Sequence, residues 1–378
     1  MLSCCRALII LILVMGFVLN GFGQLQDKEQ SAAMYDLAGE MLKASQAQDD
    51  VRDILVQAAD LDTTNIDANF QAGYLHLITI KKEQAVKYLL RVYRQRPNYR
   101  FDLEFQIGMS YQYGLNFDDA IDFYNRYKSK YQRLGGGYQG KDKLPPQLAD
   151  RKIFECNNGK QFVINPKPYA IVNLGPQVNS EWLDYAPVLN EKEDEIIFTS
   201  RRLEGNVNEN VFSDNKPYED IFFSTKVNGK WLKASNIGRT INIPDHNSNI
   251  ALSADGTTLF TYRSDIGSGD IFISELRSDN TWGAPRPLPG VVNSPYYESS
   301  MTISPDGNSL YFASDKPGGF GGMDLYLATK EGRNWGRVKI LGPTINTTGS
   351  EESPFIDYSG KKLYFSSNNQ KGMGGFDI

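Results

Sequence analysis

The sequence predicts a multidomain α+β chain, an α-helical solenoid followed by an all-β propeller that is incomplete. Three observations predict it. Glycines recur 34 and then 35 residues apart in the first third, at Gly39, Gly73 and Gly108. From Tyr169 onward an ordered pattern of strands and turns returns four times at a period of roughly 50 residues, the size of one blade. The fourth copy reaches only Asp377-Ile378, where its third strand begins. The domain plan is a signal peptide at 1–23, helical repeats at 24–132, a linker at 133–168 and blades at 169–378, the last of them truncated.

The 378 residues carry a net charge of −5. That balance argues against gripping a phosphate backbone, which takes a dense basic footprint. Export is written at the start. Arg6 supplies a positive region, and Ala7 to Leu19 is an apolar run of signal-peptide length. Gly21-Phe22-Gly23 places small residues for cleavage before Gln24. Cys4 and Cys5 precede the apolar run, whereas a lipid-anchored cysteine would follow it. Cleavage leaves Cys156 as the single cysteine, so no internal disulfide is expected. No second apolar run has the length of a membrane span.

The helical third is read from its packing positions. Sixteen residues after each glycine stands a bulky residue, Leu55, Leu89 and Tyr124. A small residue on one helix lets the next approach, and the bulky one fills the gap between them. Pro97 closes the middle unit, where a helix stops. This period and these positions resemble the tetratricopeptide repeat, whose stacked helix pairs present a concave face to peptides or proteins. Tyr111, Tyr113, Tyr124 and Tyr127 are either a groove or inter-helix core. The linker contains Gly135 to Lys141-Asp142, a near match to a phosphate-binding loop. It fails because Asp142 stands where a Ser or Thr must hold Mg²⁺, and because no strand precedes it.

Each strand-rich repeat has five parts in order. An outer segment ends in Asn179, Asn242, Asn293 or Asn346. A first strand follows. Next come turns such as Ser253-Ala254-Asp255-Gly256 and Ser304-Pro305-Asp306-Gly307, where Asp-Gly suits a hairpin. A second strand reads Leu310-Tyr311-Phe312 or its equivalent. An acid, Asp220, Asp270, Asp324 or Asp377, then opens the third strand. An acid repeated in every blade is expected to cap a turn or join blades, because catalysis needs unlike groups converging. No nucleophile elbow, zinc helix or paired cysteines appear, so neither enzyme activity nor a cofactor or metal is expected. Tyr169 to Leu174 matches the outer segment of the other copies, yet no earlier blade precedes it. A longer gene with at least one further blade is therefore expected.

The Ser-Pro-Asp-Gly turn followed by Leu-Tyr-Phe-x-Ser resembles the WD-like repeat of TolB-type propellers. The order of parts, with Asn173-Leu174-Gly175, Asp184-Tyr185-Ala186-Pro187 and Phe198-Thr199-Ser200-Arg201-Arg202, is similar to OmpA-family envelope proteins of Bacteroidetes. One member of that family is the peptidoglycan-anchoring subunit of the type IX secretion machinery. The resemblance implies a non-catalytic periplasmic scaffold associated with the outer membrane, with envelope proteins as partners through both modules. It places peptidoglycan binding in a downstream OmpA-like domain, so no residue here is assigned that role. The alternative is a propeller that binds a glycan or small ligand.

Overall fold

The computed structural model describes residues 23–44, 48–208, 216–263 and 270–378. The expected signal peptide, up to Phe22, lies outside the described residues. The chain divides into two compact units, Met1–Lys160 and Gln161–Ile378.

The first unit is helical. Helix α1 spans Gly23–Lys43, α2 Gln48–Leu61, α3 Ile66–Ile78, α4 Ala85–Gln95, α5 Leu103–Tyr113, α6 Phe117–Leu134 and α7 Pro146–Ile164. The Asn65 side chain caps α3 by accepting the Ala68 N–H at 3.0 Å, satisfying a donor that the helix leaves unpaired. Helix α4 buries Ala85, Tyr88, Leu89 and Val92, a stripe at the spacing of one helix face. Helix α5 buries residues on all sides, Glu104, Gln106 and Gln112 among them, because it is packed from more than one direction. Consecutive helices pack as three pairs, α1 with α2, α3 with α4 and α5 with α6.

The segment read as a linker holds a helix, α7. Pro146 is its first residue, a position where the missing proline N–H costs nothing. The helix seats Gly159 against the Phe117 ring, where a Cβ would come within 2.5 Å. Glu155 is buried and accepts from Gln112 at 3.0 Å and Lys152 at 2.7 Å. Its buried face is short and partly polar, so no long apolar stripe marks it in the sequence.

The second unit is antiparallel. Among the described residues it has four sheets: β1 to β5, β6 to β9, β10 to β13, and β14 with β15. Strand β1 is Asp184–Leu189, β2 Glu195–Ser200, β3 Asp220–Val227, β4 Lys230–Trp231 and β5 Ser235–Asn236. Then come β6 Ser248–Leu252, β7 Thr258–Arg263, β8 Asp270–Glu275, β9 Arg286–Pro287, β10 Glu298–Ile303 and β11 Ser309–Ser314. The last are β12 Asp324–Glu331, β13 Asn334–Ile340, β14 Glu351–Ile356 and β15 Leu363–Ser367. Every first strand shifts register against its second, as at Tyr185/Val188 and Glu352/Phe355, a bulge that increases local twist. First strands touch in series, β1 with β6, β6 with β10 and β10 with β14. A separate apolar core fills each gap. Ile197, Ile221, Leu252, Leu259 and Trp282 join sheets one and two. Phe260, Ile271, Met301, Leu310 and Trp335 join two and three. Leu325, Met323 and Phe365 join three and four. In sheets one to three an asparagine of the following segment clamps the third strand. Asn242 bonds both backbone groups of Ile221 at 2.8 and 3.0 Å, Asn293 those of Ile271 at 2.9 and 3.0 Å, and Asn346 those of Leu325 at 2.7 and 3.0 Å.

Candidate functional site

The three glycines of the helical repeats differ in their surroundings. A Cβ on Gly73 would meet Leu89 at 2.7 Å, and one on Gly108 would meet the Tyr124 ring at 2.8 Å. A Cβ on Gly39 would meet nothing within 4 Å. The first pair is thus not closed at its small residue, and a cleft of about 520 Å³ lies there, lined by Gly39, Leu55 and Gln71 among others. Tyr124 and Tyr127 are buried and Tyr113 is exposed, so the tyrosines divide between core and surface.

A groove of about 630 Å³ in the helical unit is lined by Phe70, Gln71, Arg96, Tyr99, Arg100, Lys141 and Asp142. Arg100 reaches Asp102 at 2.8 Å and lies 5.4 Å from the Phe70 ring. Arg96 lies over the Tyr99 ring at 5.7 Å. The Tyr99 hydroxyl donates to Asp67 at 2.6 Å, and burial with that carboxylate raises its pKa well above the ordinary phenol. Asp142, the residue that spoils the phosphate-loop match, accepts the Phe101 N–H at 2.8 Å and the Tyr138 hydroxyl at 2.7 Å. It anchors the loop to the helices. Arg100 is balanced by Asp102 and Asp142, which leaves Arg96 and Lys141 as the groove's other cations, with two aromatic faces beside them.

Of the acids that open the third strands, Asp220, Asp324 and Asp377 hold loops. Asp220 accepts Val207 N–H at 2.7 Å and the Asn236 amide at 2.8 Å. Asp324 accepts Phe320 and Gly321 N–H at 2.9 and 3.3 Å. Asp377 accepts Met373 and Gly374 N–H at 3.0 and 3.2 Å. Burial raises the pKa of Asp220 and of Asp270. Asp255 and Asp306 work inside their own turns. Asp255 takes the Ser253 hydroxyl at 2.6 Å and the Thr257 N–H at 3.0 Å. Asp306 takes Asn308 N–H at 3.1 Å. Gly256 and Gly307 follow with φ of 74° and 69°, the left-handed region that glycine enters without a Cβ penalty.

A second set of acids escaped the sequence reading. Asp184, Glu298 and Glu351 each stand five residues after the repeat asparagine. Glu298 takes the Ser294 hydroxyl at 2.6 Å and that of Ser314 at 2.8 Å. Glu351 takes Thr347 Oγ1 at 2.7 Å and Ser367 Oγ at 2.6 Å. Asp184 takes Ser180 Oγ at 2.9 Å and Ser200 Oγ at 2.6 Å. Asn247 holds the equivalent place in sheet two, accepting Ile243 N–H at 2.9 Å. The hydroxyl residue four before each acid was the signal available.

Unlike groups do meet at one place, near the start of β3. His246 Nδ1 bonds Glu219, Arg201 lies 3.9 Å from Glu219, and the Tyr218 ring stands edge-on to the imidazole at 4.2 Å. Arg201 is itself committed to the carbonyls of Pro217 and Lys216 at 2.8 and 3.1 Å. The cluster therefore ties down the chain entering β3. Among the described residues no group of His, Cys, Asp and Glu is arranged to hold a metal. Cys156 is buried and its thiol is pushed up to about 12 by that burial, which leaves it unreactive.

No protein-family model matches the chain. No curated protein matches it by sequence. Solved structures match it in part. TolB from Acinetobacter baumannii is 14% identical with a TM-score of 0.33, over 59% of this chain and 54% of that one. The chain thus spans about half the length of that TolB. A putative TolB from Agrobacterium tumefaciens is 17% identical with a TM-score of 0.30, over 52% of this chain and 73% of that one. The MamA protein is 21% identical with a TM-score of 0.24, over 39% of this chain and 82% of that one. At these scores the likeness carries no argument, and the architecture rests on the strand registers and cores above. No described helix is long and apolar enough to cross a membrane.

Proposed function

We propose that this chain is an exported, non-catalytic scaffold that binds proteins, its helical repeats gripping a partner and its sheets forming the blades of a propeller. One observation carries the reading. The helical groove keeps Arg96 and Lys141, beyond the acid-paired Arg100, with the faces of Phe70 and Tyr99, whereas Asp220, Asp324 and Asp377 in the sheets are spent on loops. Such a groove suits an extended acidic segment, held by charge and by cation–aromatic contact.

The signal-like start and the resemblance to OmpA-family proteins extend the proposal to the periplasm and the outer membrane. In this reading the partners are envelope proteins, and no residue among the 378 holds peptidoglycan. The test is capture from an envelope extract with the full chain and with an Arg96→Glu/Lys141→Glu variant, alongside a glycan array. Protein capture that falls at least tenfold in the variant, with no glycan signal, is expected. Glycan binding untouched by the variant would replace this reading with that of a carbohydrate binder.

A further inference from the structure

The first helix pair lacks the contact that closes the other two. Leu89 lies 2.7 Å from where a Cβ on Gly73 would stand, and the Tyr124 ring 2.8 Å from that of Gly108. Each of these glycines is filled from within its own pair. Gly39 has the same place in α1, yet nothing lies within 4 Å of its Cβ position. Its mate by spacing, Leu55, packs in the core with Val51, Ala58 and Ala72. The space left over is the cleft of about 520 Å³, walled by Leu37, Ala38, Gly39, Leu42 and Leu55. Leu42 is 42% exposed. A cavity of about 150 Å³ already accepts benzene, so the cleft has room for a bulky apolar side chain.

The cleft adjoins the groove that holds Arg96 and Lys141. Gln71 of α3 lines both openings. Tyr35 lines the cleft, and burial, then the charge of Asp67, raises its pKa. That same Asp67 takes the Tyr99 hydroxyl of the groove at 2.6 Å. Between the openings the half-buried Gln71 side-chain amide has no hydrogen-bond partner among the described residues. An extended backbone passing there can use both its donor and its acceptor. The charge differs from end to end. At the cleft Lys43 is bonded to Glu40 at 2.7 Å and Asp36 is exposed, which disfavours a further acid. At the groove neither Arg96 nor Lys141 has an ion-pair partner among the described residues, which favours one.

We propose that groove and cleft form one site for an extended segment of a partner protein, with its acidic residues on Arg96 and Lys141 and a bulky apolar side chain in the cleft at Gly39. This rests on the acidic-segment reading of the groove. The partner's apolar residue supplies the filling that Leu89 and Tyr124 give to their own pairs. It also lets the site distinguish a segment with an apolar residue at the right distance from any other acidic stretch.

The test measures fluorescence anisotropy of labelled synthetic peptides with the full chain. Each peptide carries three aspartates at one terminus in a glycine–serine background. A leucine is walked through the remaining positions, with the aspartates at either terminus in turn. One leucine position should tighten binding about tenfold over the peptide without leucine. In Gly39→Leu, which fills the cleft from within, those two peptides should bind alike. The open space at Gly39 lets that variant fold, which ellipticity at 222 nm checks, and Leu42→Gln should cut the gain about threefold. Acidic peptides that bind with no gain at any leucine position would overturn the proposal and leave the groove reading standing. A gain that survives in folded Gly39→Leu would overturn it by placing the leucine elsewhere. A dimer by light scattering that Gly39→Leu splits would overturn it in favour of a second copy of the chain. Failure of every peptide to bind would remove the groove reading and the proposal together.

Discussion

Gly73 and Gly108 are pressed against Leu89 and Tyr124, whereas Gly39 faces open space, so one substitution should give opposite signs. Gly39→Ala should stabilise the helical unit by about 1 kcal/mol through helix propensity alone. Gly108→Ala should cost roughly 1–3 kcal/mol, because the Tyr124 ring must move. Ellipticity at 222 nm during urea unfolding measures both. Glu193 has a φ of 54° in the turn where the other sheets place Gly256, Gly307 and Gly360. Glu193→Gly should therefore gain about 0.5–1 kcal/mol. All four tryptophans lie between Trp182 and Trp335, so their fluorescence follows the sheets in that experiment. His76 is buried, stacked on Tyr88 at 5.5 Å, with neither ring nitrogen hydrogen-bonded. Burial and nearby Arg52 lower its pKa below 6.5. The unfolded chain then binds the proton more readily than the folded one. Stability is intact above about pH 6.5 and falls as the pH drops below it, by at most about 1.4 kcal/mol per unit. His76→Phe should flatten that slope between pH 7.5 and 5.5 in the 222 nm signal; an unchanged slope would assign it to other groups.

Between helices, a charge does what an apolar stripe does elsewhere. Lys130 of α6 reaches Glu104 of α5 at 2.8 Å, with both side chains nearly inaccessible, and donates to the Arg100 carbonyl at 3.0 Å. Lys130→Met should cost about 3–5 kcal/mol by stranding a buried carboxylate, and adding Glu104→Leu should restore most of it. Thermal melts of the single and double variants decide this; equal melts would show that the single change strands no charge. This pair was invisible in the sequence, because a Lys and a Glu 26 residues apart look like two solvated side chains. Helix α7 escaped for a related reason. Its buried residues Ala149, Glu155, Cys156, Asn158 and Gly159 are small or polar and form no apolar stripe, and Pro145-Pro146 looks like a breaker rather than a beginning. What was legible followed strict spacing. The 16-residue link from Gly73 to Leu89 and from Gly108 to Tyr124 is a contact, and Asp220, Asp324 and Asp377 sit on loop N–H groups. The Asp184, Glu298 and Glu351 set went unseen because Asn247 interrupts it and because two different acids share one job. The clamping asparagines were noticed as a spacing, but their bonding to a strand across the turn depends on tertiary approach.

Across the second unit, each sheet is joined to the next by an apolar core and by one asparagine clamp. Asn242, Asn293 and Asn346 are 51 and 53 residues apart, so the clamps divide the unit into near-equal lengths of chain. Pulled from its two ends, such a unit bears load in series at these points, each through a few parallel hydrogen bonds. Force should therefore release the sheets one at a time, each giving roughly 170–190 Å of new contour for its 50-odd residues. Asn293→Ala should lower the force of one peak and leave the spacing of the rest unchanged. A single rupture releasing the whole unit at once would show that the cores, rather than the clamps, carry the tension. If the clamps carry it, a protein stretched from its two ends would lengthen in measured steps before it let go.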